Sequence, residues 1–215
     1  MSVVAGRFLT IEGIEGVGKS TQVARLSAAL RGRGVHHMVT REPGGTPLAE
    51  KIRGLVLDNA AGEFMPATAE LLLMFAARAV HLANHIEPNL RAGRWVLCDR
   101  FTDATYAYQG GGRRLSMDDI RQLEVMVQGG RRPDLTLWLD APVEQALQRA
   151  RERNAGAATD RFESERSEFF ERVRAVYRER AQAEPDRIHV IDAAQSADAV
   201  AAQVLAVLQR RTWIS

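Results

Sequence analysis

Lys19 and Ser20 close the run Gly13-Ile14-Glu15-Gly16-Val17-Gly18, which fits G-x-x-x-x-G-K-[ST] at every fixed position. The spelling follows phosphate geometry. Glycines let consecutive backbone N–H groups turn inward around an anion, and a helix beginning at Lys19 adds its positive end. Lys19 can then reach the β- and γ-phosphates of a nucleoside triphosphate such as ATP. The Ser20 hydroxyl can ligate Mg²⁺, and Thr21 continues the loop into the helix. The apolar run Phe8-Leu9-Thr10-Ile11 before the loop and the helical pattern Thr21–Leu26 after it supply the strand–loop–helix context that a phosphate cradle requires.

Three further groups carry chemistry. Asp99-Arg100 ends the apolar run Trp95–Cys98. Ligands of a parallel α/β sheet bind beyond the carboxyl ends of its strands, so Asp99 is placed to hold Mg²⁺ through water and Arg100 to meet a second phosphate. The competing reading makes Asp99 or Thr102 a helix cap. Thr105, Tyr108 and Gln109 follow at helical spacing and offer hydroxyls and an amide on one face. Arg149, Arg151 and Arg153 form a basic helix end, followed by Asn154–Arg161, which is short of large apolar residues. The pair of features reads as a phosphoryl-transfer lid over about residues 149–163, with a solvated helix face as the plainer alternative. His81 and His85 lie four apart but lack a third ligand, and read as packing or surface histidines. Arg78 interrupts the apolar run Leu71–Ala77, so its charge needs a partner or a ligand.

The elements that must position these groups alternate between β-rich apolar runs and amphipathic helices. Strands are expected near Arg7–Ile11, His37–Thr40, Trp95–Cys98, Leu135–Leu139 and Ile188–Ile191. Helices are expected over Ser20–Arg31, ended by Gly32-Arg33-Gly34, over Pro47–Leu57, and as one long helix over Pro66–Arg91. Ser116 should cap the next helix, whose core face is Ile120, Leu123 and Val127. Phe169, Val173, Val176 and Tyr177 read as core, as do Val200, Val204, Val207 and Leu208. The pattern is that of an α/β fold of three layers, a five-stranded parallel sheet with helices on both faces. No linker or charge block divides residues 1–215, which read as one domain.

Composition narrows the setting. A formal charge of +2 makes no case for nucleic acid, and no apolar run approaches membrane-spanning length. One cysteine, Cys98, excludes an intrachain disulfide and fits a reducing compartment; its apolar surroundings make it a buried thiol rather than a nucleophile. With no signal-peptide apolar region in the chain, a cytoplasmic protein is expected. The helix around Leu71–Ala77 is apolar all round, which requires burial on more than one side and suggests a second subunit.

Taken together, the loop Gly13–Ser20 containing Glu15, Arg41-Glu42-Pro43-Gly44-Gly45-Thr46, Asp99-Arg100 with Thr105 and Tyr108-Gln109-Gly110-Gly111-Gly112-Arg113, and Arg149–Arg153 followed by Asp160-Arg161 resemble the bacterial thymidylate kinases over nearly the full length. The resemblance implies a P-loop kinase fold and transfer of the γ-phosphoryl of ATP to dTMP, with Mg²⁺ and a homodimer. It implies that Arg53 and Arg100 hold the dTMP phosphate, that Arg78 meets a thymine carbonyl and that Thr105 meets the base edge. It also implies Tyr108 against the deoxyribose, Glu15 at the 3′-hydroxyl and Pro43 near the thymine methyl, with Glu42 and Gln109 in the same site. The loop contains no arginine, so the chain is similar to those members that carry the catalytic arginine in the lid. Arg153 is the first candidate, with Arg149 and Arg151 next. Two features depart from the family pattern. Phe101 stands where Tyr, His or Trp is usual. Met74 holds the spacing of the thymine-stacking aromatic while Phe75 lies one residue further on, leaving two candidates. The stretch Ala155–Thr159 looks inserted.

An acceptor that is already ionised needs no strong general base, so catalysis reduces to positioning and charge stabilisation. Rival readings are a kinase for another nucleotide or a nucleoside, a GTP-dependent switch, and a non-catalytic nucleotide binder. A switch should carry Asn-Lys-x-Asp, and Asn-Lys occurs nowhere.

Overall fold

The computed structural model describes residues 6–57, 64–153, 161–162 and 165–214. The Ala155–Thr159 stretch and Asp160 lie outside the described residues. Five strands, β1 (Phe8–Glu12), β2 (His37–Arg41), β3 (Trp95–Asp99), β4 (Leu135–Asp140) and β5 (Ile188–Asp192), form one sheet in the order β2-β3-β1-β4-β5. Every pairing is parallel. Strand β1 is buried along its whole length, as a central strand covered on both faces must be.

Each strand runs one residue past its expected end, and the five extra residues are Glu12, Arg41, Asp99, Asp140 and Asp192. All five have ionisable side chains, which is why hydropathy stops short of them. The backbone ladder continues because it does not depend on side-chain polarity. These five residues mark the carboxyl edge of the sheet, where ligands bind in such folds.

Helix α1 (Lys19–Gly32) follows the loop, and α2 (Pro47–Leu57) packs on α3 (Ala67–His81). The single long helix expected over Pro66–Arg91 is instead three segments: α3, a π-helical turn at Leu82–Ile86, and α4 (Glu87–Arg91). Pro66 precedes α3 in an extended conformation. Pro88 has no N–H to return to the Asn84 carbonyl, so an unbroken α-ladder fails there and a widened turn precedes it. The segment after β3 behaves similarly: α5 (Thr102–Thr105) gives way to a π-helical run over Tyr106–Gly112. Phe101, not Asp99 or Thr102, takes the position before α5, with no side-chain cap, so Asp99 is left for other work.

The chain closes with α6 (Met117–Gln128), α7 (Val143–Arg153), α8 (Ser167–Ala183) and α9 (Ala197–Arg210). Ser116 caps α6 by accepting from the Asp119 N–H. The expected core residues of α8 and α9 are buried. Cys98 is buried too, and that burial pushes its thiol well above the ordinary value, so the side chain is inert packing.

Candidate active site

The loop after β1 is shaped by two glycines. Gly18 caps α1 in a left-handed conformation with φ 93°, and a side chain on Gly16 would run into the Ala146 carbonyl of α7. The Lys19 Nζ donates to the Ile14 carbonyl at 2.9 Å, folding the ammonium back across its own loop. Lys19 is buried, and that burial, with the positive charge of Arg100 adding to it, pushes the ammonium down to about 8. Ser20 and Thr21 stand exposed at the start of the helix. Gly16, Gly18, Lys19, Ser20 and Thr21 border one cavity of about 500 Å³.

Within the loop, Glu15 holds two groups at once. Its carboxylate accepts from the Arg100 guanidinium at 2.6 Å and from the Tyr108 hydroxyl at 2.7 Å. Burial alone would raise the Glu15 carboxyl, but Arg100 and Lys19 outweigh it and hold it below its ordinary value. Arg100 adopts φ 69°, a left-handed backbone for a non-glycine residue, and its guanidinium carbon sits 4.7 Å from the Tyr108 ring centre. Such strain at a cavity wall is characteristic of a functional position. Arg53 borders the same cavity and donates to the Pro43 carbonyl at 2.9 Å.

The structure brings most of the anticipated residues to this cavity. Glu15, Lys19, Ser20, Thr21, Glu42, Pro43, Arg53, Met74, Asp99, Arg100, Tyr108 and Gln109 border it, as do Arg149 and Arg153. Met74, rather than Phe75, presents the apolar wall. Phe75 is buried behind it, with its ring centre 4.9 Å from the Arg78 guanidinium carbon. Arg78 and Thr105 also lie behind the wall. Arg78 donates to the Glu42 carboxylate at 2.7 Å and to the Thr105 hydroxyl at 2.9 Å. Its Nη1 is buried with no hydrogen-bond partner among the described residues. His81 is fully buried rather than at the surface, bridging the other Glu42 oxygen at 3.0 Å and Thr40 at 2.7 Å.

The three arm arginines are not equivalent. Arg149 is tethered, donating to the Ala193 carbonyl at 2.8 Å and the Ala194 carbonyl at 3.1 Å, just beyond β5. Arg153 is exposed at the last position of α7 and borders the cavity, whereas Arg151 is exposed and does not. The residues suited to a divalent cation are Ser20 and Asp99. The Asp99 Oδ1 is buried without a hydrogen-bond partner among the described residues, and both residues border the cavity, so a hard, oxygen-liking ion fits them. No cluster of three or more His, Cys, Asp or Glu that would bind a metal on its own occurs among the described residues.

The chain as a whole has counterparts among known proteins. A profile of the thymidylate kinase family matches residues 11–204. A thymidylate kinase of Chromohalobacter salexigens is 57% identical over 206 residues, covering 96% of this chain and 96% of that protein. Another, from Pseudomonas putida, is 56% identical over 205 residues, with 95% and 96% covered. The crystal structure of thymidylate kinase from Ehrlichia chaffeensis superposes with a TM-score of 0.76 at 33% identity, covering 95% of this chain and 99% of that one. The chain belongs to the thymidylate kinase family. It is a nucleotide kinase, and its five-stranded parallel sheet is that family's P-loop fold.

The site of this thymidylate kinase family member also contains groups that sequence reasoning passed over. Phe162 borders the cavity, and its ring meets Tyr108 edge-on at 5.6 Å. Tyr177, read as core, donates to Glu12 at 2.7 Å directly behind the loop. Burial, with the nearby Asp103 charge, pushes the Glu12 carboxyl up to about 8. Glu70, fully buried in the first turn of α3, gathers partners from three segments. Its only sequence signal was an acidic residue in a first helical turn, which helix electrostatics explains without any site.

Proposed function

We propose that the chain transfers the γ-phosphoryl group of ATP to dTMP, giving dTDP and ADP, in the cytoplasm. The observation that carries this is a second cationic group, Arg53 with Arg100, bordering the same cavity as Lys19. A nucleoside acceptor would have no anion for that pair. Arg53 and Arg100 bind the acceptor phosphate, Met74 and Pro43 cover the base, and Tyr108 and Glu15 take the sugar. The unpartnered Arg78 Nη1 supplies a donor for a base carbonyl from behind the wall.

An acceptor phosphate oxygen attacks the γ-phosphorus as the bond to the β–γ bridging oxygen breaks, and that oxygen leaves on ADP. A phosphate monoester is largely ionised at neutral pH, so no strong base is required. Ser20 and Asp99 would hold Mg²⁺, which when bound would supply positive charge against the negative charge of the transferred phosphoryl group. Lys19 stabilises the same charge from the loop, and Arg153 supplies the mobile cation that the loop lacks. Arg149, committed to two carbonyls, holds the turn beyond β5.

We also propose a homodimer through α2, α3 and α6. Leu55, Leu72 and Met126 are 60%, 52% and 78% exposed on these helices, and α3 packs against both others. Large apolar side chains on neighbouring helices of one chain are expected to be covered by a partner.

The deciding experiment follows ADP release with ATP-Mg²⁺ and a panel of dTMP, dUMP, UMP, AMP and thymidine. The expected result is the highest kcat/KM with dTMP and none with thymidine. Preference for any other acceptor overturns the substrate assignment.

A further inference from the structure

Glu70 is a fully buried carboxylate, which is stable only when fully paired. Its Oε1 accepts from the Gln109 Nε2 at 2.7 Å, and the Arg113 Nε reaches both oxygens at 3.3 and 3.1 Å. The Arg161 Nη2 donates to its Oε2. Placement at a helix N-terminus favours one negative charge, but it calls for no convergence from the π-helical run, from Arg113 beyond it and from the segment at Arg161.

Two of these contacts reach the cavity. A carboxylate only accepts, so the Gln109 amide must turn its N–H toward Glu70 and its oxygen away. That Oε1 is buried without a partner among the described residues, and Gln109 borders the cavity. Glu70 therefore decides which end of the Gln109 amide a ligand meets. Arg161 meanwhile clips its own segment to the end of α2. Its Nε donates to the Val56 carbonyl at 3.1 Å and its backbone N–H to that of Leu57 at 3.4 Å. The next residue, Phe162, is thereby set against Tyr108 on the cavity wall.

From this geometry we propose that Glu70 is a positioning residue for the acceptor: one carboxylate fixes both the Gln109 amide and, through Arg161, the Phe162 ring. The proposal rests on the phosphoryl-transfer reading above. It makes acceptor binding sensitive to Arg161, which does not itself border the cavity.

The test uses Glu70→Gln and Arg161→Gln, singly and together, with kcat, both KM values and melting temperature measured on the full chain. Glu70→Gln keeps the side-chain volume but puts an amide, both donor and acceptor, where the carboxylate stood. That change frees the Gln109 amide to flip and removes the anion from Arg161. Displacement of a substrate-positioning group can cost up to about a hundredfold, so Glu70→Gln should raise the dTMP KM about tenfold or more. The ATP KM should stay within about twofold, since the hydrogen bonds described for Gln109, Arg113 and Arg161 lead to Glu70, to Glu165 and to the end of α2 rather than to the phosphate loop. Arg161→Gln should raise the dTMP KM about fivefold on its own and add little in the Glu70→Gln background, because contacts through one node are not additive. Lower melting temperatures with an unchanged dTMP KM in both single variants would make Glu70 a purely structural ion-pair centre and overturn the proposal. Fully additive effects would overturn the coupling. Should Glu70→Gln not fold, Arg161→Gln decides alone by the same KM criterion. If the wild-type chain prefers another acceptor, the substrate assignment fails separately and the same variants are read with that acceptor.

Discussion

Replacing Arg78 by Lys separates the support that this side chain gives Glu42 from the acceptor contact proposed for it. The guanidinium is 1% exposed, lies between the Phe75 and Phe101 rings at 4.9 and 5.0 Å, and pairs with Glu42, itself 3% exposed. Removing the charge altogether would strand Glu42, and breaking a buried pair costs about 3–5 kcal/mol. At about 2–4 °C per kcal/mol for a chain of this size, Arg78→Ala should lose about 6–20 °C in Tm. Lys keeps a positive charge for Glu42 but has no counterpart to the unpartnered Nη1. A hydrogen bond from a charged donor contributes about 1.5–3 kcal/mol, or roughly 10–150-fold in affinity. Arg78→Lys should therefore raise the dTMP KM about 10–150-fold, with a Tm loss smaller than that of Arg78→Ala, in an ADP-release assay at saturating ATP. A dTMP KM within about threefold of wild type would show that Nη1 never meets the acceptor, leaving Arg78 as a support for Glu42 alone.

Arg153→Ala should lower kcat about 10³-fold or more in single-turnover assays, the scale of an arginine finger, whereas Arg149→Ala should act mainly on the ATP KM; the reverse pattern would exchange their roles. Lys19→Ala should leave no measurable turnover while the far-UV circular dichroism stays native; residual activity above about a tenth would deny the loop its role. The pH dependence has a definite sign. ATP needs the charged Lys19, whose ammonium titrates near 8 before the nucleotide arrives, so ATP affinity should fall as pH rises above about 8. Calorimetry in buffers of different ionisation enthalpy should record proton uptake on binding near that pH, and proton release would contradict it. Leu55→Glu with Leu72→Glu should convert a dimer to a monomer in sedimentation; an unchanged mass would place any interface elsewhere.

Much of the site was legible because its chemistry is written in short contiguous runs. Gly13–Ser20 specifies a phosphate loop by itself, and Asp99-Arg100 follows from the rule that parallel sheets bind ligands at their carboxyl edge. What stayed hidden depends on which way a side chain points. Arg78 was visible as a charge needing a partner, but only the folded chain shows Glu42 and Thr105 holding two of its nitrogens. His81 looked like an ordinary helix histidine, and its partner Glu42 lies 39 positions away. The one helix expected over Pro66–Arg91 is three segments because Leu82–Ile86 contains no glycine or proline to stop a helix in sequence, and only Pro88 marks where the hydrogen-bond ladder cannot continue. Distance along the chain, rather than residue type, set the limit.

Glu15 ties these observations into one constraint on catalysis. Its carboxylate pairs with Arg100 and lies near Lys19, two of the cations that border the cavity. An arginine in the phosphate loop would add a further positive charge in the same small space, where burial already depresses the Lys19 ammonium. Like charges in a low-dielectric site repel strongly, so such a loop would weaken Lys19 as it added charge. On the mechanism proposed above, a cation entering from α7 avoids that conflict, because Arg153 stands exposed at the helix end and would be desolvated only against the phosphates. The proposal thus makes Glu15 in the loop and Arg153 on the exposed end of α7 two halves of one electrostatic solution.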